Sequence, residues 1–151
     1  MTAYLNAVVP LAVPFVWLGM VVAISFVETP LKFRAPGITV PLGLGIGRLV
    51  FRALNAAELA LAATLTLAVL TSAAGRSTIE GLPTTVLIAL WTLLVVQVAV
   101  LRPRLDRRAR QLIQGHDPPR SQLHLAYIAA ECAKVLLLTT LGILLALRLM
   151  P

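Results

Sequence analysis

The sequence predicts an all-α, polytopic integral membrane protein: a four-transmembrane-helix bundle with a short interfacial or elbow helix before its second span. Three observations carry this expectation. Of 151 residues, 59% are hydrophobic and only 13% charged, against about a quarter charged in ordinary soluble domains. The mean hydropathy is +0.92. Four segments, Tyr4 to Val27, Phe51 to Ala74, Pro83 to Leu101 and Leu123 to Leu149, each meet the length of about 20 apolar residues that a helix needs to cross the hydrocarbon. Little chain is left over, so residues 1–151 read as a single transmembrane domain with helices over 4–27, 41–74, 83–112 and 122–149.

The first span begins close to Met1 and could be mistaken for a secretory signal. Such a signal has a basic region before a short apolar core, whereas no Lys or Arg precedes Lys32 here and the apolar run is too long. It reads as a retained helix. Pro10 and Pro14 remove two backbone donors near one end of it, which leaves a kink and a gently bent helix both open. Ser25 and Glu28 mark the other end.

Prolines at 30, 36 and 41 punctuate the passage to the second span. Thr39, followed by Pro41 in a first turn, is a helix start signal. From there a helix either runs unbroken into the second span or forms an elbow that turns inward near Arg48. Gly43, Gly45 and Gly47 do not form a phosphate-cradling loop, because that fingerprint needs a preceding strand and none is predicted. Gly43 and Gly47 instead make a GxxxG, extended by Ala53 and Ala57 and by Ala56, Ala60, Thr64 and Ala68. Small faces let helices approach closely, which places helix 2 at the centre of the bundle or at an interface with a second copy or a partner membrane subunit.

Helix 2 also carries Arg48, Arg52, Asn55 and Glu58 at spacings of four, three and three, on neighbouring parts of one face. Helix 4 repeats the arrangement with His124, Tyr127, Glu131 and Lys134, Lys134 lying roughly 15 Å beyond His124 along the axis. Helix 3 adds Gln97 near the same end. All four helices thus place polar groups in one half of the membrane, the pattern of a vestibule open to one side.

Orientation follows from the basic residues. Ten of the thirteen, Lys32, Arg34, Arg48, Arg52, Arg102, Arg104, Arg107, Arg108, Arg110 and Arg120, belong to the connections after helices 1 and 3; Arg76 and Arg148 lie opposite and Lys134 is within a span. The positive-inside rule then sets both loops in the cytoplasm and both termini outside, with a bacterial inner membrane as the expected location. The net charge of +7 does not indicate nucleic-acid binding, since the run Arg102 to Arg110 continues directly out of helix 3 without aromatic side chains for stacking. Anionic lipid headgroups are its expected partners.

Other chemistries find little support. Cys132 is the only cysteine, so no disulfide forms within the chain. His116 and His124 are the only histidines and no HxxxH or CxxC occurs, so neither a metal, a haem nor another cofactor is assigned. No Ser or Thr is visibly paired with a His and an acid, so no catalytic residue is assigned and an enzyme is disfavoured.

The groups that carry most meaning are Glu58, Glu131 and Lys134. Each costs roughly 2.5–3.5 kcal/mol in the hydrocarbon, so together they oppose insertion by about 8–10 kcal/mol if isolated. They require partners, protons or water. With one amine for two carboxylates, Lys134 is expected to pair with Glu131 one turn away or with Glu58 across the bundle, leaving the other carboxylate to bind a proton or cation. Glu28, Arg52, Asn55 and His124 complete the candidate site. Transport, or ion- or proton-coupled permeation, is the expected function. The alternatives are a non-catalytic membrane subunit that docks on a larger complex, for which the charges are only a clamp between helices, and a membrane-embedded cofactor- or metal-binding protein.

The stretch from Ser25 to Thr39, SFVETPLKFRAPGIT, followed by the glycine-rich approach to Leu49-Val50-Phe51, resembles the first inter-helix segment of the transmembrane protein 205-like family and its bacterial relatives of unknown function. Leu101-Arg102-Pro103-Arg104 at the end of helix 3 and Leu123-His124 at the start of helix 4 are similar to that family's corresponding segments. The resemblance implies a four-helix membrane protein and carries no settled activity. Glu131 stands where the family's pattern implies an uncharged polar residue, and helix 1 lacks a histidine.

Overall fold

The computed structural model describes residues 2–71, 81–116, 119 and 121–149. Helix α1 (Thr2–Val21) passes without interruption through Pro10 and Pro14 and continues into a π-helical segment, Val22–Glu28, and the short α2 (Thr29–Lys32). After a turn, α3 (Val40–Thr71) runs unbroken for 32 residues, so the unbroken alternative for the second span holds. Helix α4 (Leu82–Val96) passes through a second π-helical segment, Gln97–Leu101, into α5 (Arg102–Ile113), and α6 (Leu123–Leu149) closes the bundle. Four stretches, Val8–Lys32, Val40–Thr71, Leu82–Ile113 and Leu123–Arg148, are long and apolar enough to cross a bilayer. The chain is an integral membrane protein. Arg76 and Arg120, and the expected end of helix 2 at residues 72–74, lie outside the described residues.

Both π-helical segments have the same local cause. A proline in a helix lacks the N–H that bonds back four residues, and its ring collides with the carbonyl there. Pro30 would meet Phe26 and Pro103 would meet Ala99, and each of those carbonyls falls inside a widened stretch. The chain relieves the collision by reaching back five residues, with the Thr29 N–H donating to Ile24 O and the Arg102 N–H to Gln97 O. Wide turns of this kind recur at functional sites.

Span 1 packs between spans 2 and 4, span 3 packs against span 4 and more lightly against span 2, and α5 lies along α3. Spans 2 and 4 therefore face each other across the bundle. The inward face of α3 is Asn55, Glu58, Ala62, Leu65 and Val69, with the alternating three- and four-residue spacing of a bundle interior. The hydrophobic core is built from Val13 and Val21 of span 1, Leu90 and Leu94 of span 3 and Leu138, Leu141 and Leu145 of span 4. Phe15, Val16, Leu67, Ile88, Leu136 and Leu147 point outward, as a hydrocarbon environment requires.

The expectation that the small residues of helix 2 sit at the bundle centre is corrected here. Ala53, Ala56, Ala60 and Thr64 are exposed on the outer side of α3, and Ala57 and Ala68 are only half-buried. Gly43 and Gly47 pack within the chain, against the elbow that follows span 1. A Cβ on Gly43 would overlap the Phe33 ring, and one on Gly47 would lie 3.2 Å from Lys32 Nζ. That pair of glycines lets α2 and its turn settle onto the start of α3.

Candidate functional site

Six side chains from all four spans meet at one level of the bundle. Lys134 Nζ lies 2.6 Å from Glu58 Oε1 and 3.2 Å from Glu131 Oε1. Trp17 Nε1 donates to Glu58 Oε1 at 2.9 Å, Gln97 Nε2 donates to Glu131 Oε1 at 2.9 Å, and Ser25 Oγ donates to Glu131 Oε2 at 3.1 Å. Glu58, Lys134, Gln97 and Trp17 are fully buried and Glu131 is 2% exposed. The placement follows from helix geometry. Glu58 is ten residues into α3 from Arg48, and Lys134 is ten residues into α6 from His124, so each sits roughly 15 Å inward from its reference residue.

Lys134 bridges both carboxylates rather than choosing one, because Glu131 is on its own helix three residues earlier and Glu58 faces it from the opposite span. Two acids share one ammonium. Each fully ionised triad would carry one surplus negative charge in a region of low dielectric, where unpaired charge is costly. The donors from Trp17, Gln97 and Ser25 are what the rest of the bundle contributes to that charge.

On the basic side of the triad is a cavity of about 460 Å³. Its floor includes Ser25, Tyr127 and Glu131, its walls Phe26, Phe33, Leu44, Phe51, Leu105 and Ile128, and its margin Lys32, Arg48, Arg102, Asp106 and His124. Glu131 alone among the triad lines it. Phe51 is central: Tyr127 meets its ring edge-on with centroids 5.5 Å apart, Lys32 Nζ lies 5.8 Å from its centroid and the Arg102 guanidinium 5.3 Å, within cation–π range. Arg102 Nη2 donates to Arg48 O at 2.9 Å, tying α5 to α3. Asp106 Oδ1 lies 3.7 Å from Arg48 Nε and 3.6 Å from Arg102 Nη2.

The remaining candidates divide. His124 is exposed at the cavity margin. Asn55 is 6% exposed one turn from Glu58, but its Oδ1 accepts no hydrogen bond from the chain. Glu28 pairs with Lys32 at 3.2 Å, outside the triad. Arg52 is exposed and lies outside the lining of this cavity, since six residues at about 100° each carry it roughly 120° around α3 from Glu58. Glu28 and Arg52 are therefore not brought to the triad. Among the described residues, no three His, Cys, Asp or Glu side chains are grouped as a metal-ligand set.

Three participants escaped the sequence reading. Trp17 was legible only as an apolar residue, although its indole N–H within a span demands an acceptor. Asp106 is hidden in a run of arginines, yet it stands four residues after Arg102 and is the only acid in α5. Phe51 gave no signal beyond its position at the start of a span. Comparison with protein-family models, curated proteins and solved structures gave no match to this chain.

Proposed function

We propose that this protein is a small membrane carrier in which binding of a proton at the Glu58–Lys134–Glu131 triad is coupled to movement of a solute through the cavity beside it. The observation that carries the reading is the sharing of one buried ammonium by two buried carboxylates, one of which also faces the cavity. Magnitudes favour a labile proton. Protonating an ordinary Glu at pH 7 costs about 3.7 kcal/mol, close to the roughly 2.5–3.5 kcal/mol for a charged group at the centre of the bilayer. A proton taken up here cancels the surplus charge of the triad, and solute arriving at Glu131 changes that charge balance.

The test is reconstitution of the full chain into liposomes loaded with a pH-sensitive dye. An imposed pH gradient should drive proton uptake that Glu131→Gln abolishes. Exchanging the charges, Glu58→Lys with Lys134→Glu, should keep the bundle folded and lose the uptake. Retained uptake in both variants refutes the coupling.

The position of the basic connections supports cytoplasmic loops, termini outside and a bacterial inner membrane, with α5 resting on anionic headgroups. The similarity of the Ser25–Thr39 segment to transmembrane protein 205-like proteins supports membership of that group. A second reading rests on the outward stripe of Ala56, Ala60 and Thr64, a surface suited to close helix packing: the chain docks there on a second copy or a partner membrane subunit. Ala60→Leu would block such docking and leave the triad intact.

A further inference from the structure

We infer that the cavity binds a small amphipathic anion, a single carboxylate or phosphate head on an apolar body, with the head at Arg48 and Arg102 and the body against Phe26, Phe33, Phe51 and Leu105. The inference rests on the carrier reading and names its substrate class. Size comes first: about 460 Å³ corresponds to roughly fifteen water volumes at about 30 Å³ each, room for a small organic molecule and within the usual range of ligand sites.

Charge decides the sign of the ligand. Three cations, Lys32, Arg48 and Arg102, stand at the margin. Lys32 is taken by Glu28 at 3.2 Å, but the two arginines share the single carboxylate of Asp106, each at a distance of 3.6–3.7 Å. Direct charge-assisted bonds are about 2.7–2.9 Å, so neither guanidinium is closely engaged by Asp106. Arg48 Nε and Arg102 Nε are buried and donate to no group of the chain. One further oxyanion, reaching the part of the two side chains that stays accessible (23% for Arg48 and 13% for Arg102), would neutralise the surplus.

A cationic ligand finds less. The Phe51 ring already has Lys32 and Arg102 against it, and the floor carboxylate Glu131 is engaged by Ser25, Gln97 and Lys134. The apolar walls then require that the anion carry a hydrocarbon or aromatic body rather than being a bare inorganic ion. Glu131 beneath the body keeps the head at the arginines, away from the triad.

The experiment measures binding of radiolabelled octanoate to the full chain in nanodiscs of neutral phosphatidylcholine, with empty discs as the blank and octylammonium as the matched cation. Octanoate should bind at least about tenfold more tightly than octylammonium, and Arg102→Gln should weaken it by about tenfold or more, the worth of a lost charged hydrogen bond. Arg104→Gln, at an exposed position outside the cavity, should leave binding unchanged. Leu105→Trp, which pushes a larger side chain into the cavity while retaining every ion pair, should weaken it by about tenfold or more. Repeating the measurement in discs containing phosphatidylglycerol separates the two sources: displacement of octanoate assigns the head to membrane lipid, and persistence assigns it to a free solute. Equal or tighter octylammonium binding, or octanoate binding untouched by Leu105→Trp, overturns the proposal. If octanoate fails while dye-reported proton uptake persists, the substrate class alone is wrong; if octanoate binds and no variant alters proton movement, the coupling alone is wrong.

Discussion

Replacing Lys134 by Met should be the most damaging single change in the buried triad. Methionine is flexible, apolar and of similar length, so the fully buried position stays filled while the ammonium disappears. Glu58 and Glu131, respectively 0% and 2% exposed, are then left without a counterion. Breaking a buried pair from one side costs about 3–5 kcal/mol, and the escape route, taking up a proton at pH 7, costs about 3.7 kcal/mol for each ordinary Glu. Either way the loss is at least about 3 kcal/mol, against a whole-protein stability of about 5–15 kcal/mol. Glu58→Gln is different in kind. It leaves Glu131 and Lys134 as a balanced pair at 3.2 Å, keeps an acceptor for Trp17 Nε1, and removes the surplus carboxylate; its loss is bounded by one charged hydrogen bond, about 1.5–3 kcal/mol. Denaturant titrations in detergent followed by circular dichroism should therefore rank Lys134→Met below Glu58→Gln by about 2 kcal/mol at pH 7, the difference between those two ranges. Equal losses at pH 7 would refute the argument from one ammonium shared by two acids.

Four other outcomes follow from the same contacts. Trp17→Phe removes the indole donor to Glu58 Oε1 and should cost about 1.5–3 kcal/mol, measurable by the same titration and reduced to about 0.5–1.5 kcal/mol in a Glu58→Gln background, where the acceptor is neutral. Gly43→Ala drives a methyl into the Phe33 ring and should destabilise by about 1–3 kcal/mol, with faster proteolysis of the turn after α2. Phe51→Leu withdraws the ring shared by Lys32, Arg102 and Tyr127 and should cost about 1–2 kcal/mol in cation–π stabilisation while loosening α5, seen as faster amide exchange across Arg102–Ile113. Replacing Arg104 and Arg107 with Gln should weaken the preference of the embedded chain for phosphatidylglycerol over phosphatidylcholine in mixed bilayers by about 1 kcal/mol per residue, an effect that disappears at high salt.

The four spans were legible because a helix in hydrocarbon has to be long and apolar, and both properties are local. The level of the triad was legible for the same reason: a fixed rise per residue sets Glu58 and Lys134 equally far from Arg48 and His124. Which faces turn inward was not. Small residues such as Ala56, Ala60 and Thr64 suit the bundle centre and an outer interface equally, whereas the interior of α3 is set by Asn55, Glu58, Leu65 and Val69, and an alanine loses nothing by facing outward in an apolar solvent. Arg52 failed through angle rather than depth. The pairing of Lys134 with both acids could not be settled in one dimension, since it depends on spans 2 and 4 standing opposite one another, a relation fixed by the way span 1 inserts between them.

The two widened helical segments connect these observations. Each lies immediately before a proline at the basic end, and each supplies one donor to the same carboxylate: Ser25 from Val22–Glu28 and Gln97 from Gln97–Leu101. An extra residue in a turn rotates everything beyond it by about 100°, so the wide turn before Pro30 bears on the aim of Ser25, which lies inside it, while Gln97, the first residue of its segment, keeps the register of α4. Replacing Pro30 would remove the steric reason for the first wide turn and allow the ordinary helix to return, at little cost in helix stability. The price would fall on Glu131, which would lose a donor while remaining buried. A polar site assembled this way is held by backbone register as much as by side-chain identity, and that is why spans 1 and 3, which contribute no charge to the triad, are still needed to define it.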